Sequence, residues 1–420
     1  MQKRFLFLSI ILLSFFTIGV VVASEENDIP VEQWNKTFGM GTVYSHVQTS
    51  EGEYFLAGML SFDAFLIKTD SNGNELWNKT FNKKKLNSIQ LTNDGGCVMA
   101  GARDLRDDES WLIKVDKNGD EIWNKTFGGP LSGRLYSVMQ TSDGGYAMAG
   151  MTQQTSSSAL LIKTDSEGNK QWSKAFGGGK QARSVVEDHD GGFVIGGNYY
   201  MQNSDSFMGS NIFLIKTDSF GNQKWSKTFD KEYSDFAHSV LKTNDDGFVL
   251  AGTAGGDILL IKTDSSGNEE WSKTYGGKNR DEAKSVVQTI DGGYALAGMT
   301  DPGSFTDDAL LIKTDSSGNE EWNMTFGGNG TDQVNSLIES IDGSYVLAGG
   351  RQPGGAWLIK VGKNGAESEI LMSDDLEVEG NITNENIEET SAPSTPAFEL
   401  FITISSLLVA FFIFKRWRTD

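Results

Sequence analysis

The middle of the chain repeats itself, and that repeat limits what the chain can fold into. One unit runs from Ser285 to Gly328. It reads SVVQTIDGGYALAGMT, then a variable stretch, then ALLIKTDSSGNEEWNMTFGG. Tryptophan recurs as Trp34, Trp77, Trp123, Trp172, Trp225, Trp271 and Trp322, at intervals of 43 to 53 residues. An isoleucine before lysine recurs seven times, from Ile67 to Ile359. Each unit holds four short runs rich in β-branched and aromatic residues, for example Ser285–Thr289, Tyr294–Thr300, Ala309–Thr314 and Glu320–Phe326. Turn chemistry separates them. Asp291-Gly292-Gly293 is a short hairpin signal, and Asp315-Ser316-Ser317-Gly318-Asn319 a longer one with glycine at the left-handed position. Four antiparallel strands per unit fit a propeller blade. No segment keeps a 3.6-residue period over twelve residues, so a helical solenoid is excluded.

The expected fold is therefore all-β, a seven-bladed β-propeller of four-stranded antiparallel blades over residues 31–371. In Trp322-Asn323-Met324-Thr325-Phe326, Trp and Phe share one face of the strand. A single sheet cannot bury both rings, whereas a stack of blades can. The seven tryptophans read first as structural residues. The last unit lacks its own Trp-bearing strand, because Gly362-Lys363-Asn364-Gly365 replaces the Asp turn and Ala366–Leu371 carries no Trp. Val31–Phe38 carries Trp34 with no unit before it. Trp34's strand is expected to pair into the seventh blade and close the ring.

The ends differ from the middle. Lys3 and Arg4 precede an apolar run from Phe5 to Ala23, with Val21 and Ala23 placed as in a cleavage site. Residues 1–23 read as a secretory signal. Residues 372–397 are acidic and poor in hydrophobes, a disordered stalk. Residues 398–414 read as a transmembrane helix, and 415–420 as a basic cytoplasmic tail. The fully apolar part, Leu400–Phe414, spans roughly 22 Å as a helix, against a hydrocarbon core of about 30 Å. The expected location is the cell surface, with the propeller outside and the membrane a partner through the C-terminal helix.

A net charge of −21 argues against nucleic acid as a partner, which needs a basic footprint. Cys97 is the sole cysteine, so no intrachain disulfide forms. Asn35, Asn78, Asn124, Asn323, Asn329 and Asn381 begin N-x-Ser/Thr sequons and are candidate glycan sites.

Binding residues are expected on the rim where loop length varies: the connections from second to third strand and from blade to blade. The longest such stretch, Asn198–Asn211, reads as a loop in which Tyr199, Tyr200, Phe207 and Met208 either form a contact patch or fold over their own blade. Asp235, Asp281 and Asp332 each stand four residues before a recurring serine and read as an acidic rim. Ser45, Ser88, Ser137, Ser184, Ser239, Ser285 and Ser336 form a column near the channel mouth; none has a histidine at a repeating spacing, so hydrogen bonding is expected of them. No catalytic residue and no cofactor is expected. Calcium at Asp116–Asp120 is the weak metal alternative, and His46, His189 and His238 lie in unlike contexts that give zinc no support.

The LIKTDSSGNEEW hairpin resembles the repeat of PQQ-like β-propellers. The whole unit, with DGGYALAG and KTFGG, is similar to repeats of archaeal, methanogen-type cell-surface propeller proteins. The tail from Thr395 resembles the PGF-CTERM sorting signal, with Pro396-Ala397-Phe398 standing where that signal has Pro-Gly-Phe. The resemblance implies fold and location. It does not carry over a quinone cofactor, since the related dehydrogenases use adjacent cysteines that Cys97 alone cannot supply. The expected function is a surface-displayed binding, structural or adhesion propeller with an extracellular protein or glycan partner. The alternative is an extracellular enzyme acting on glycans, or using a quinone or metal at the channel mouth.

Overall fold

A computed structural model describes residues 30–362, apart from 83, 103–108, 129–132, 153–156, 203–206, 232–233, 279, 302–306 and 329. The signal, stalk, transmembrane and tail segments expected at the two ends lie outside the described residues, as do Asn329, Asn381 and residues 363–371. Among the described residues no helix is long and apolar enough to cross a membrane.

The described strands form seven antiparallel four-stranded sheets. Blades 1 to 6 are consecutive in the chain: Thr42–Phe81, Lys85–Phe127, Gly133–Gly178, Lys180–Phe229, Phe236–Tyr275 and Asp281–Phe326. Blade 7 takes three strands from Thr331–Gly362 and its outer strand from Val31–Phe38. That N-terminal strand runs antiparallel to Gly355–Gly362, with Val31 opposite Gly362 and Phe38 opposite Ala356. The surplus Trp34 strand thus closes the ring as its sequence required, and the C-terminal hairpin is not left with an open edge.

Second and third strands are buried on both faces, because each blade is covered by two neighbours. Outer strands alternate: in Glu320–Phe326, Asn323 and Thr325 are exposed while Trp322, Met324 and Phe326 turn inward. Seven hydrophobic clusters each span one blade interface. Each Leu or Ile sealed there contributes about 1.5–3 kcal/mol.

The indoles are half-buried and lie on the next blade. Trp123 meets Tyr146 edge-on with ring centroids 5.7 Å apart, and Trp34, Trp172, Trp225, Trp271 and Trp322 repeat the contact with Tyr54, Phe193, Phe248, Tyr294 and Tyr345. The tip of each described indole from Trp34 to Trp271 also covers the glycine of the following blade's Asp turn. At Gly267 (φ +75°), a Cβ would stand 2.7 Å from the Trp225 ring. Glycine is required there twice over, for its backbone angle and for the ring above it.

The turns are tied by carboxylates. Asp315 accepts the backbone N–H groups of Ser317 and Asn319 and the Asn319 amide. Asp291 accepts the Gly293 N–H and the Lys313 ammonium, whose side chain is 4% exposed. Bonding on this scale satisfies a buried cation that would otherwise be costly.

Candidate functional site

The first strands of all seven blades pack side by side in a closed circuit, so they line the central channel. Each carries a β-bulge immediately before its recurring serine. The bulged residues are Tyr44, Asn87, Tyr136, Arg183, His238, Lys284 and Asn335. The extra residue re-aims a side chain. Because the first strand starts where a crossover enters, the bulges stand at the channel mouth on the variable-loop rim.

The serines themselves sew blades together. Ser45 Oγ accepts the Ile89 N–H, Ser88 Oγ the Val138 N–H and Ser285 Oγ the Leu337 N–H, at 3.2–3.3 Å. Ser184 donates to the Val240 carbonyl at 3.1 Å. At the closing seam Ser336 takes the same part toward His46, whose Nδ1 lies 2.8 Å from Ser336 Oγ. Complete burial lowers the His46 pKa to about 3, against a smaller opposing effect of the Val346 backbone. The ring is neutral there.

The bulge column gathers groups that lie far apart in sequence. The Arg183 guanidinium lies 4.3 Å above the Tyr136 ring, and its Nη2 donates to Gln181 at 3.1 Å. His238 Nε2 is 2.6 Å from Glu282, and Lys284 Nζ is 2.6 Å from the same carboxylate oxygen. Burial raises the Glu282 pKa, but the His238 hydrogen bond and the Lys284 charge outweigh it and hold the pKa down at about 2. Burial pushes His238 down, with the Glu282 bond opposing.

On the same rim, between blades 7 and 1, lies a cavity of about 570 Å³. Its lining includes Met40, Tyr44, Met59, Leu60, Gln333 and Arg351. A second hollow of about 430 Å³ shares Met40, Leu60 and Ser61 and runs outward to Glu75 and Asn78. Met40 is 76% exposed and Leu60 41% exposed. Exposed apolar side chains lining one cavity mark a contact region.

The residues expected on the rim are placed otherwise. Asn198–Asn211 is largely no loop: Phe193–Gln202 and Phe207–Thr217 extend as a long hairpin, with Tyr199 opposite Asn211. The insertion lengthens two strands because a ladder satisfies its backbone groups. Tyr199 packs half-buried beneath Lys180, and Tyr200 lies edge-on to Phe236 at 6.2 Å. Phe207 and Met208 lie on the hairpin's returning strand.

Asp235, Asp281 and Asp332 are buried rather than solvated on a rim, at 0%, 4% and 2% exposure. Their backbone N–H groups donate to Ser210, Gly256 and Asp307, each at 2.7 Å. Asp235 and Asp281 also accept the N–H four residues earlier, from Lys231 and Gly277. They fasten the crossovers between blades. Asp332 additionally pairs with Arg351 at 3.0 Å.

At Asp116–Asp120 the Asp116 carboxylate accepts the N–H groups of Asn118 and Asp120, and Asp120 pairs with Lys79. It is the same turn that blades 1 and 3 to 6 build with asparagine in the place of Asp120. Among the described residues no group of three or more His, Cys, Asp or Glu side chains is placed to hold a metal. Asn35, Asn78, Asn124 and Asn323 are exposed on outer strands, on the face away from the indoles.

The sequence reading singled out the constant serines and passed over the residue before each. The available signal was variation: Tyr, Asn, Tyr, Arg, His, Lys and Asn at one position of an otherwise uniform unit. A position the fold leaves free is where a binding surface can be written.

The fold and the channel-mouth face define a seven-bladed β-propeller of the PQQ-like repeat type. The chain belongs to the PQQ_2 family, described as outer membrane protein assembly factor BamB, whose model matches residues 108–335. No curated protein matches the sequence. Among solved structures the chain is similar to Raptor from Chaetomium thermophilum, with TM-score 0.56, 10% identity, and coverage of 80% of this chain and 29% of Raptor. It is also similar to a catalytically inactive virginiamycin B lyase from Staphylococcus aureus with quinupristin, with TM-score 0.51, 11% identity, and coverage of 78% and 98%. At such identities the likeness is one of fold alone.

Proposed function

We propose that the protein is a binding propeller displayed at a cell surface and held to the membrane by residues 398–414, with its ligand on the variable-loop rim. The observation that carries this reading is the seam cavity, rimmed by the exposed Met40 and Leu60 and continuous with the channel mouth through Tyr44. Membership of a family named for an assembly factor supports a binding or scaffold role; the partner proposed for it is an extracellular protein or glycan. The pairing of Val31 with Gly362 supports the tether, since both ends of the described chain leave by the hairpin rim, opposite the cavity. The surface location rests on the terminal segments and on the likeness to archaeal surface propellers.

The test is the full chain in detergent on glycan and peptide arrays. A bound class whose signal falls on Met40→Ser and Leu60→Ser, but not on Phe220→Ser in a hairpin turn, supports the reading. The reverse pattern overturns it.

A second reading, an extracellular enzyme acting on glycans at the channel mouth, is favoured by one observation: the His238–Glu282 pair at 2.6 Å beside Tyr136 and Arg183. Turnover of an array-identified glycan that is lost in Glu282→Gln would select it.

A further inference from the structure

Arg134 and Arg183 stand at the channel mouth on the first strands of blades 3 and 4, two residues before and at the bulge respectively. The chain is strongly acidic, with 57 Asp and Glu against 36 Lys and Arg. In such a chain an arginine finds a carboxylate readily, as Arg351 does with Asp332. Yet among the described residues neither Arg134 nor Arg183 has a carboxylate partner. Glu282, the acid in the same ring, is already engaged by His238 and Lys284.

Arg183 is held ready. Tyr136 supports its flat face, Gln181 takes one donor, and its Nε is shielded from solvent with no hydrogen-bond partner. A shielded donor left unmade is costly, and a guanidinium offers five donors in a fixed fork. The fold does not ask for this side chain, because the equivalent position carries Tyr44 in blade 1 and Asn335 in blade 7. A cation poised without an internal partner, at a position free of structural demand, points to an external anion.

We propose that this sector of the channel mouth binds the carboxylate of an acidic saccharide, with Arg183 and Arg134 as its anion receptors. The planar fork matches a carboxylate through two parallel hydrogen bonds. The neighbouring lining favours a sugar over a peptide. Gln181 and the Tyr136 hydroxyl offer neutral hydrogen-bonding groups suited to hydroxyls beside Arg183, whereas the apolar pockets a peptide side chain needs are at the seam. The inference rests on the variable rim being a binding face and names the ligand class for it.

The experiment is calorimetric titration of the full chain in detergent with hexagalacturonate, and separately with maltohexaose, inorganic phosphate and an oligoglutamate peptide. Hexagalacturonate is expected to bind, and Arg183→Gln and Arg134→Gln each to weaken it by at least about tenfold with unchanged melting temperature. Arg183→Lys is expected to recover part of the loss, and Arg280→Gln to change nothing. Absence of hexagalacturonate binding, equal binding of maltohexaose, phosphate or oligoglutamate, or indifference to Arg183→Gln overturns the proposal. An array ligand still sensitive to Met40→Ser and Leu60→Ser would then leave the rim reading standing, so the two failures are separable.

Discussion

Phe55 and Cys97 face each other between blades 1 and 2 with their sizes exchanged relative to every other interface. Elsewhere the earlier blade offers Val or Ala and the later one an aromatic ring, as with Val98 and Tyr146 or Ala147 and Phe193. Here the later blade offers Cys97 and the earlier one Phe55, both fully buried, and Trp77 turns its edge to Phe55 at 5.8 Å. The summed volume is kept while its source changes sides. Burial also raises the Cys97 thiol pKa, so the sulfur serves as an inert filler.

This exchange sets up a double-mutant cycle. Phe55→Ala alone is expected to cost about 3–5 kcal/mol. Cys97→Tyr alone overpacks, at about 1–3 kcal/mol. Together they recreate the pattern of the other interfaces, so the pair should cost less than the sum by roughly 0.5–3 kcal/mol. Urea denaturation checks this, and strict additivity would refute the exchange.

Closure by the N-terminal strand predicts a large effect from a small deletion. Removing residues 31–38 strips blade 7 of its outer strand and bares the Gly355–Gly362 edge. Thermal melts by circular dichroism should show Tm lower by about 10 °C or more. An unchanged Tm would mean that this strand is not what holds the ring.

Two glycines with similar backbone angles should respond differently to alanine. Gly144 has φ +82° and nothing within 4 Å of an added Cβ; Gly267 has φ +75° and the Trp225 ring in the way. Gly144→Ala should cost about 1–2 kcal/mol for its angle alone. Gly267→Ala should cost roughly 1–3 kcal/mol more. Equal costs in chemical denaturation would show that the indole does not press on the turn.

His46 predicts an acid-sensitive seam. Its folded pKa, about 3, is below the unfolded value of 6.5. Below pH 6.5 the unfolded chain takes up a proton that the folded chain refuses, so stability falls as pH drops, by up to about 1.4 kcal/mol per unit, until the folded form also protonates near pH 3. His46→Leu should remove that part of the slope. The comparison is denaturation at pH 7, 5 and 4; identical slopes in both proteins would exclude His46 as a source.

The sequence determined much of this protein. Spacing of Trp and of the glycine turns set seven blades, four strands in each and the hairpin angles, because turn chemistry and strand alternation act over a few residues. The unpartnered Trp34 strand even told where the ring shuts. Tertiary structure alone decided the rest. Asp235, Asp281 and Asp332 look like surface acids until the crossovers close over them, and Asn198–Asn211 looks like a loop until its two halves pair. Arg134, Arg183, His238 and Glu282 become one surface only when first strands from four blades meet around an axis. That meeting depends on contacts between residues 44 positions or more apart, as His238 and Glu282 are, and no local pattern encodes them.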